Sequence, residues 1–445
     1  VAVAGAAAAA AVRALARPGA SSAEARGLED LAADLAKALV SAELFVAPQQ
    51  ADGAGLSLLA PLALQTGGGI WYYPRFSAPE DMVRMQSELL RTVARPIAWE
   101  AELRLRVSCG WHIAGVHGSC AEKRQDYFLV PNCHAEQALK VNLAQDPSTG
   151  SQASRDEGSP LVVQAALLYT SSAGQRLVRV LTWATVTTPY PTTVMRSVDV
   201  PAALSLLAGG PRDDPAASRE LIKERCRRLL HSRAAEGCEV SQLLPLYLFG
   251  LLKSPALQTS QVNADQRTFD LAQLTSCAPD HLATQCIPTL VALHGRMLDA
   301  LSADGSLHTA PAPTERLSLT VRSLAQDGIY LLNSGKALLL WVGQHVDGAL
   351  LESAFSGAAQ AEDAVGEQLV CADAAAAVLA IAIERARAER GATVAELPLK
   401  VLRPGGMGEN EFLCALIEDP THGLQMSCAE FVYELRFSAG PARRR

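Results

Sequence analysis

Apolar and polar residues alternate most strictly in the middle of the chain. Leu103, Leu105 and Val107 are separated by charged residues, and a period of two is typical of a β-strand with one buried face. The run 161–186 holds two β-branched stretches on either side of a short turn of small residues, Ser-Ser-Ala-Gly. Such a turn between two apolar runs predicts a β-hairpin. We therefore predict an all-β unit, a sandwich, over residues 97–190.

A helical period replaces this alternation upstream. Leucines recur at the spacing of one helix face between residues 28 and 39, and residues 79–94 are predicted to form a second helix. The residues of that second helix predicted to face inward are Met82, Met85, Leu89, Leu90 and Val93. A short apolar strand is predicted at 43–46. Helix, strand and helix in succession predict the end of a doubly wound α/β domain over 28–96.

Helical patterns also dominate residues 191–308, which we assign to an all-α domain. The segment 241–252 is apolar on nearly all sides, and such a helix is expected to be buried. We expect Ser241 to cap this helix and Pro245 to lie in or just beyond its first turn, where proline is tolerated best.

The two ends of the chain have a different character. Residues 309–445 begin with a Pro/Ala-rich linker and continue as a predicted α+β domain. The strands predicted in it are 329–332, 337–342, 397–402 and 411–417, and the helices are 373–390 and 427–436. Residues 1–27 are alanine-rich and are predicted to be a low-complexity linker. They do not match a signal peptide, because Arg13 and Arg17 follow the apolar run instead of preceding it.

Composition excludes several classes of function. The chain of 445 residues has a formal net charge of -7, which argues against wholesale nucleic-acid binding. No apolar run reaches the roughly 18 residues that a membrane-spanning helix needs. The ten cysteines form no C-x-x-C pair, so we expect free thiols in a reducing compartment and no disulfide framework or zinc site.

Motifs for catalysis are missing from the sequence. It contains no nucleophile elbow, no phosphate-binding loop, no dinucleotide fingerprint and no zinc-protease motif. The glycine-rich stretch 66–69 lacks a following Lys-Ser/Thr and is predicted to be a turn before a strand. His112 and His117, near Cys109 and Cys120, leave a metal site or a cysteine hydrolase open. Residues five apart on a strand face opposite sides, however, so we assign no catalytic or metal-binding residue.

Six short segments, in order along the chain, together resemble one known family, that of the COPII inner-coat subunits. They are Thr66-Gly67-Gly68 with Trp71-Tyr72-Tyr73-Pro74; Trp99-Glu100-Ala101 with Leu103-Arg104-Leu105-Arg106; Val163 to Thr170 with Gly174-Gln175-Arg176; Leu243-Leu244-Pro245-Leu246-Tyr247 with Leu251-Leu252-Lys253-Ser254; Ile329-Tyr330-Leu331-Leu332 with Leu340-Trp341-Val342-Gly343; and Phe412-Leu413 with Ile417-Glu418-Asp419. The hairpin segment resembles the cargo-adaptor branch of this Sec23/Sec24 family.

The resemblance implies a fold. Residues 28–96 would be the end of a von Willebrand A-like α/β trunk, followed by a β-sandwich (97–190), a helical domain (191–308) and a gelsolin-like α+β domain (309–445). The chain would correspond to the C-terminal part of a family member, without the zinc finger and most of the trunk. Zinc is expected only in that finger, so we expect no cofactor here. The family's sandwich also borrows strands from upstream, so an unpaired sheet edge is expected in this chain.

A function is also implied by the resemblance. The protein would be a non-catalytic coat component that selects membrane cargo for transport from the endoplasmic reticulum to the Golgi. Arg104 and Arg106 are expected to bind acidic sorting signals, because a guanidinium matches a carboxylate with two parallel hydrogen bonds. Lys123, where the family has an arginine, would add charge. The expected partners are the other inner-coat subunit, the cytosolic tails of cargo and, peripherally, the cytoplasmic face of endoplasmic reticulum and COPII vesicle membranes, with no nucleic acid.

Two alternatives remain from the sequence. The sister subunit activates the coat's small GTPase with an arginine finger, but Glu411 occupies that arginine's position in this chain. A gelsolin-type actin-binding module would fit only the last third of the chain.

Overall fold

The computed structural model describes residues 22–49, 53–78, 80–146, 160–208, 215–258, 262–295, 315–348, 351, 374–388, 399–406, 408–421 and 424–437. The chain divides into two compact units. The first is Val1–Leu244 with Ser254–Pro279, and the second is Pro245–Lys253 with Asp280–Arg445. Most of the predicted linker 1–27 lies outside the described residues.

The first unit begins with a small α/β portion. Its elements are α1 (Ser22–Lys37), β1 (Leu44–Val46), α2 (Leu56–Leu64), β2 (Ile70–Tyr72) and α3 (Glu80–Ala94). Strands β1 and β2 pair in parallel, with α2 as the crossover that a parallel pair requires. Apolar residues of α2 fill the space between this pair and α1.

The inward face predicted for α3 is wrong. Its apolar residues point to solvent, with exposed fractions that reach 70% at Leu90 and 75% at Val93. The helix is held instead by its polar side, where Glu88 accepts a hydrogen bond from the Tyr73 hydroxyl and Arg91 pairs with Glu136. These polar contacts set the rotation of the helix, so the apolar stripe faces away.

A β-sandwich follows, as predicted. Its strands are β3 (Ala98–Val107), β4 (Trp111–His117), β5 (Ala121–Arg124), β6 (Tyr127–Cys133), β7 (Lys140–Gln145), β8 (Pro160–Thr170) and β9 (Arg176–Val186). One sheet has the order β5-β6-β3-β8-β9, and β4 pairs with β7 in a second. Ala101, Leu103 and Leu105 pack between the sheets against Ile113 and Val116.

The predicted hairpin is confirmed by strands β8 and β9. They pair antiparallel over eleven residues each, from Pro160–Val186 to Thr170–Arg176, without a shift in register. Among the described residues, strand β9 lies at one edge of the five-stranded sheet.

Helices follow the sandwich. They are α4 (Pro191–Arg196), α5 (Val200–Ala208), α6 (Pro215–Leu230), α7 (Glu239–Lys253) and α8 (Ala264–Ser276), with short 3₁₀ turns at Arg233–Ala235 and Pro255–Leu257. Of these, the residues Pro245–Lys253 of α7 belong to the second unit. Helix α7 starts earlier than predicted because Val240 and Leu244, four apart, are both buried. Ser241 therefore does not cap it, and Pro245 lies inside the helix.

The second unit is built on one sheet covered on both faces. Its elements are α9 (Pro279–Cys286), β10 (Thr289–Ala292), β11 (Arg316–Leu317), a 3₁₀ turn (Val321–Ser323), β12 (Ile329–Asn333), β13 (Leu338–Val342), α10 (Ala374–Ala388), β14 (Leu399–Leu402), α11 (Glu409–Ala415) and α12 (Cys428–Phe437). The strand order is β11-β10-β12-β13-β14. Leu379 and Ile383 of α10 pack on one face, and Phe412 of α11 packs on the other.

The strand predicted at 411–417 is wrong, because residues Glu409–Ala415 form helix α11. Phe412 and Leu416 are four apart and both fully buried in the same cluster, a spacing that brings them to one side of a helical turn. Gly408 lies in the left-handed region at its start (φ 94), which a glycine adopts without strain. No helix among the described residues is long and apolar enough to cross a membrane.

Candidate ligand-binding face of the β-sandwich

Strand β3 places two arginines on one open face of the five-stranded sheet. Leu103 and Leu105 are buried in the sandwich core, and Arg104 and Arg106 alternate with them and are exposed. Because residues i and i+2 of a strand share a face, the two guanidinium groups project side by side. Their α-carbons are about 7 Å apart by strand geometry.

The neighbours of these arginines leave them available. On the adjacent strands Arg104 lies opposite Tyr127 and Ala166, and Arg106 lies opposite Gln164. Among the described residues no carboxylate forms an ion pair with either guanidinium. This face can therefore offer two charged, bidentate donors to a ligand without first breaking an internal salt bridge.

Lys123 is positioned differently from the two arginines. It lies on β5, an edge strand that is separated from β3 by β6. Its ammonium group donates to Glu102 at 3.1 Å. Glu102 also accepts from the Tyr127 hydroxyl. That hydrogen bond first, and Lys123 second, lower the pKa of Glu102. The structure therefore brings Arg104 and Arg106 together but ties Lys123 to an internal carboxylate.

Sequence reasoning missed Arg124, the residue after Lys123. Its guanidinium carbon lies 4.9 Å from the centre of the Tyr127 ring, and Tyr127 is the cross-strand neighbour of Arg104. Arg124 therefore stands close to the face that carries Arg104. The signal available in the sequence was only the adjacency of two basic residues, which does not show that a tyrosine connects the strands.

The residues that resemble the family's T-G-G motif have a structural role. Thr66 accepts a hydrogen bond from the Ala42 amide at 2.9 Å. A β-carbon at Gly68 would lie 1.9 Å from the Ala42 carbonyl oxygen, so only glycine fits. The stretch is a turn that leads into β2, as predicted.

A buried polar cluster lies beside this turn. Glu43 pairs with Arg95 at 2.6 Å and accepts from Asn132 at 2.6 Å. Burial raises the pKa of Glu43. Burial, with Arg95 and Arg91 adding to the effect, lowers the pKa of His134 to about 3. Within this cluster, Glu43 connects Arg95, which follows α3, with Asn132 of the sandwich.

The histidines and cysteines do not assemble a reactive site in the described part of the chain. His112 contacts Asp146 at 2.7 Å and His117 contacts Asn142 at 3.1 Å. No group of three metal-ligating side chains occurs among the described residues. Burial raises the pKa of Cys120 to about 11, which is opposite to the lowered pKa that a thiol nucleophile needs.

Free thiols were predicted, and none of the nine described cysteines forms a disulfide bond. Four of them are buried: Cys226, Cys238, Cys277 and Cys286.

Glu411, at the position of the sister subunit's arginine, is in an ion pair with Lys400 at 2.7 Å.

Comparison with known proteins agrees with this architecture. The family model for the Sec23/Sec24 beta-sandwich domain matches residues 98–188, and the model for the Sec23/Sec24 helical domain matches residues 219–284. Two successive segments of the chain thus match domain models of one family of proteins.

Individual relatives narrow this class. The chain is 28% identical to Protein transport protein Sec24B of Homo sapiens, over 72% of this chain and 26% of the relative. It is 29% identical to Sec24A of Mus musculus, over 71% of this chain and 30% of the relative. It is 26% identical to SEC24 B of Arabidopsis thaliana, over 75% of this chain and 31% of the relative.

A solved structure shows the fold. The crystal structure of the human COPII-coat protein Sec24c superposes with a TM-score of 0.79 at 23% identity, covering 95% of this chain and 54% of that one. The predicted fold class is confirmed, and the predicted resemblance to the Sec23/Sec24 family is supported by the two family models and by relatives of the Sec24 type. It spans about half of the solved chain and less than a third of the three relatives named above.

Proposed function

We propose that the chain is part of a non-catalytic COPII coat component that selects membrane cargo for export from the endoplasmic reticulum to the Golgi. The supporting relatives are Protein transport proteins of the Sec24 type. The proposed partners are the second inner-coat subunit, the cytosolic tails of cargo proteins and, peripherally, the membrane surface.

The observation that carries the binding role is the pair Arg104 and Arg106. Two exposed guanidinium groups on one face of a rigid strand, unpaired with described carboxylates, suit an extended peptide with two carboxylates on one side. A charged hydrogen bond contributes about 1.5–3 kcal/mol when its partner is desolvated. Part of this is lost to solvent screening here, because both side chains are exposed. Lys123 would contribute less than the two arginines, since its ammonium group is already paired with Glu102.

The test is binding of a fluorescent acidic tail peptide, measured by anisotropy. The double variant Arg104→Ala/Arg106→Ala is expected to bind about 10- to 100-fold more weakly than the unmodified chain, because each lost guanidinium is worth about a factor of ten. The affinity of the unmodified chain is also expected to fall between low and moderate salt, because exposed charges are screened.

A matched control removes two other exposed arginines of the same unit, Arg196→Ala/Arg225→Ala. It lowers the net charge equally and should leave the affinity within about twofold, since non-specific attraction alone would respond to both double variants alike. Equal affinity of the β3 variant and the unmodified chain at low salt would refute the assignment of this face.

A further inference from the structure

An irregularity in strand β5 turns two consecutive basic residues toward one tyrosine. Glu122 lies opposite Phe128, but the next residue of β5 in the register is Arg124, opposite Tyr127. Lys123 is therefore the extra residue of a β-bulge, in which two residues of one strand face a single residue of its neighbour. Because of the bulge, both basic side chains reach the tyrosine ring: the Lys123 Nζ atom lies 5.4 Å and the Arg124 Cζ atom 4.9 Å from its centre.

The bulge gives its two cations different partners. The ammonium group of Lys123 pairs with Glu102 at 3.1 Å. Arg124 is exposed, and within the part of the chain that the structure describes it forms no ion pair. Its contact is with the ring of Tyr127, which attracts a guanidinium without using its N–H donors. Lys123 therefore neutralises Glu102, whereas Arg124 keeps its donors for a ligand.

Tyr127 connects Arg124 with the candidate ligand-binding face. It is the cross-strand neighbour of Arg104 on β3 and of Arg124 on β5, and residues directly opposite each other share a face of the sheet. The hydrogen bond to Glu102 raises the pKa of Tyr127, and the charges of Arg124 and Arg104 oppose that rise, as expected of two cations near one hydroxyl. Neighbouring strands are about 4.8 Å apart, so the α-carbons of Arg124 and Arg104 are separated by roughly 10 Å across the sheet.

We propose that Arg124 is a third ligand-binding residue of this face, and that the ligand is an acidic peptide whose carboxylates meet Arg104, Arg106 and Arg124. The inference rests on the proposed cargo-binding function and specifies the pattern of the peptide that the face prefers. Two carboxylates at positions i and i+2 of an extended peptide are about 7 Å apart, which matches the two arginines of β3. A third carboxylate three residues farther along, about 10 Å away, matches Arg124. The peptide bends between them, because this arginine lies across the strands.

The test compares two fluorescent peptides by anisotropy. The first carries all three acidic residues, and in the second a glutamine replaces the third one. Both are made with the acidic pair first and with the acidic pair last, and the direction that binds more tightly is used. Arg124→Ala is expected to bind the first peptide about 5- to 10-fold more weakly than the unmodified chain does, because it loses one exposed charged pair. Its affinity for the second peptide should stay within about twofold, since only long-range attraction is lost there.

Lys123→Ala is the matched control, because it removes the same charge from the preceding residue of the same strand. It leaves Glu102 without its ammonium partner, and the added negative charge should weaken both peptides by the same factor. A direct contact therefore discriminates between the two peptides, whereas a general effect of charge does not.

Tyr127 acts as a positioning residue for Arg124. Tyr127→Phe keeps the ring under the guanidinium and should preserve the preference for the first peptide. Tyr127→Leu removes the ring, so Arg124 loses the contact that holds it over the face. We expect this variant, with its fold verified by circular dichroism, to lose most of the preference between the two peptides.

The outcomes separate this inference from the function on which it rests. If the unmodified chain binds both peptides equally, or if Arg124→Ala changes both affinities by the same factor, the role of Arg124 is overturned while the cargo-binding face remains. If Arg104→Ala/Arg106→Ala binds the second peptide as tightly as the unmodified chain does, the proposed function itself fails. Retention of the full preference by Tyr127→Leu would overturn the positioning role of the tyrosine.

Discussion

Asp265 caps a helix that is more than two hundred residues away in the sequence, and its removal gives the sharpest stability prediction. The carboxylate is 4% exposed and accepts from the amides of Ala54 at 2.8 Å and Leu56 at 2.7 Å. Leu56 is the first residue of α2, whose N-cap, Gly55, has no side chain that could perform this role. The N-terminal end of α2 therefore depends on α8 for its hydrogen-bond acceptor.

The cost of Asp265→Ala follows from these two bonds. A hydrogen bond to a charged group contributes about 1.5–3 kcal/mol, and a buried donor left without a partner loses its solvation. The favourable interaction of the carboxylate with the helix dipole is lost as well. We expect a total loss of about 3–5 kcal/mol, a large share of the roughly 5–15 kcal/mol that stabilises a typical protein. Asp265→Asn keeps one acceptor oxygen and should lose about half as much.

Hydrogen exchange of the α2 amides is the assay, together with the unfolding midpoint in urea, because a chain of several domains need not unfold in one step. The variant should exchange faster in α2 than the unmodified chain does. Asp30→Ala, at an exposed position of α1, is the control and should change stability by less than about 0.5 kcal/mol. If exchange in α2 and the urea midpoint are unchanged in Asp265→Ala, the capping argument is refuted.

Two further predictions concern the junction around the glycine-rich turn. Gly68→Ala would place a β-carbon 1.9 Å from the Ala42 carbonyl oxygen. We expect the free energy of unfolding to fall by at least about 3 kcal/mol, which would be measured as a lower thermal midpoint. Gly27→Ala, with open space around it, is the control and should be neutral or stabilising. His134 should contribute to acid sensitivity. Its folded-state pKa of about 3 lies below the ordinary histidine value of 6.5, so its stabilising contribution is complete above pH 6.5 and is lost as the pH falls toward 3. Between pH 7 and pH 5 the loss in free energy of unfolding from this group is at most about 2 kcal/mol. In urea unfolding, His134→Gln should therefore lose less stability over that interval than the unmodified chain does. An identical loss in both proteins would contradict the argument.

Local sequence patterns predicted an element correctly where the environment of each residue depends only on its neighbours along the chain. The alternation in β3 predicted both the strand and the outward direction of Arg104 and Arg106, because a strand's side chains can only alternate. The small residues of the turn predicted the hairpin for a similar reason, since few turns connect paired strands.

Patterns failed where a distant contact competes with a local preference. The apolar stripe of α3 predicted a buried face. Glu88 and Arg91, however, bind Tyr73 and Glu136, and these contacts turn the polar side of the helix inward. The segment 411–417 is short, and a short apolar run does not distinguish strand from helix until its packing partners are known.

From the sequence alone we predicted the fold class, the family resemblance and the two arginines of the candidate site. The folded structure was needed to show that Lys123 is paired with Glu102 and that Arg124 lies against Tyr127, the cross-strand neighbour of Arg104. The reason is physical. Periodicity records which side of an element a residue occupies, whereas pairing between residues far apart in the sequence is set by which surfaces the folded chain brings together.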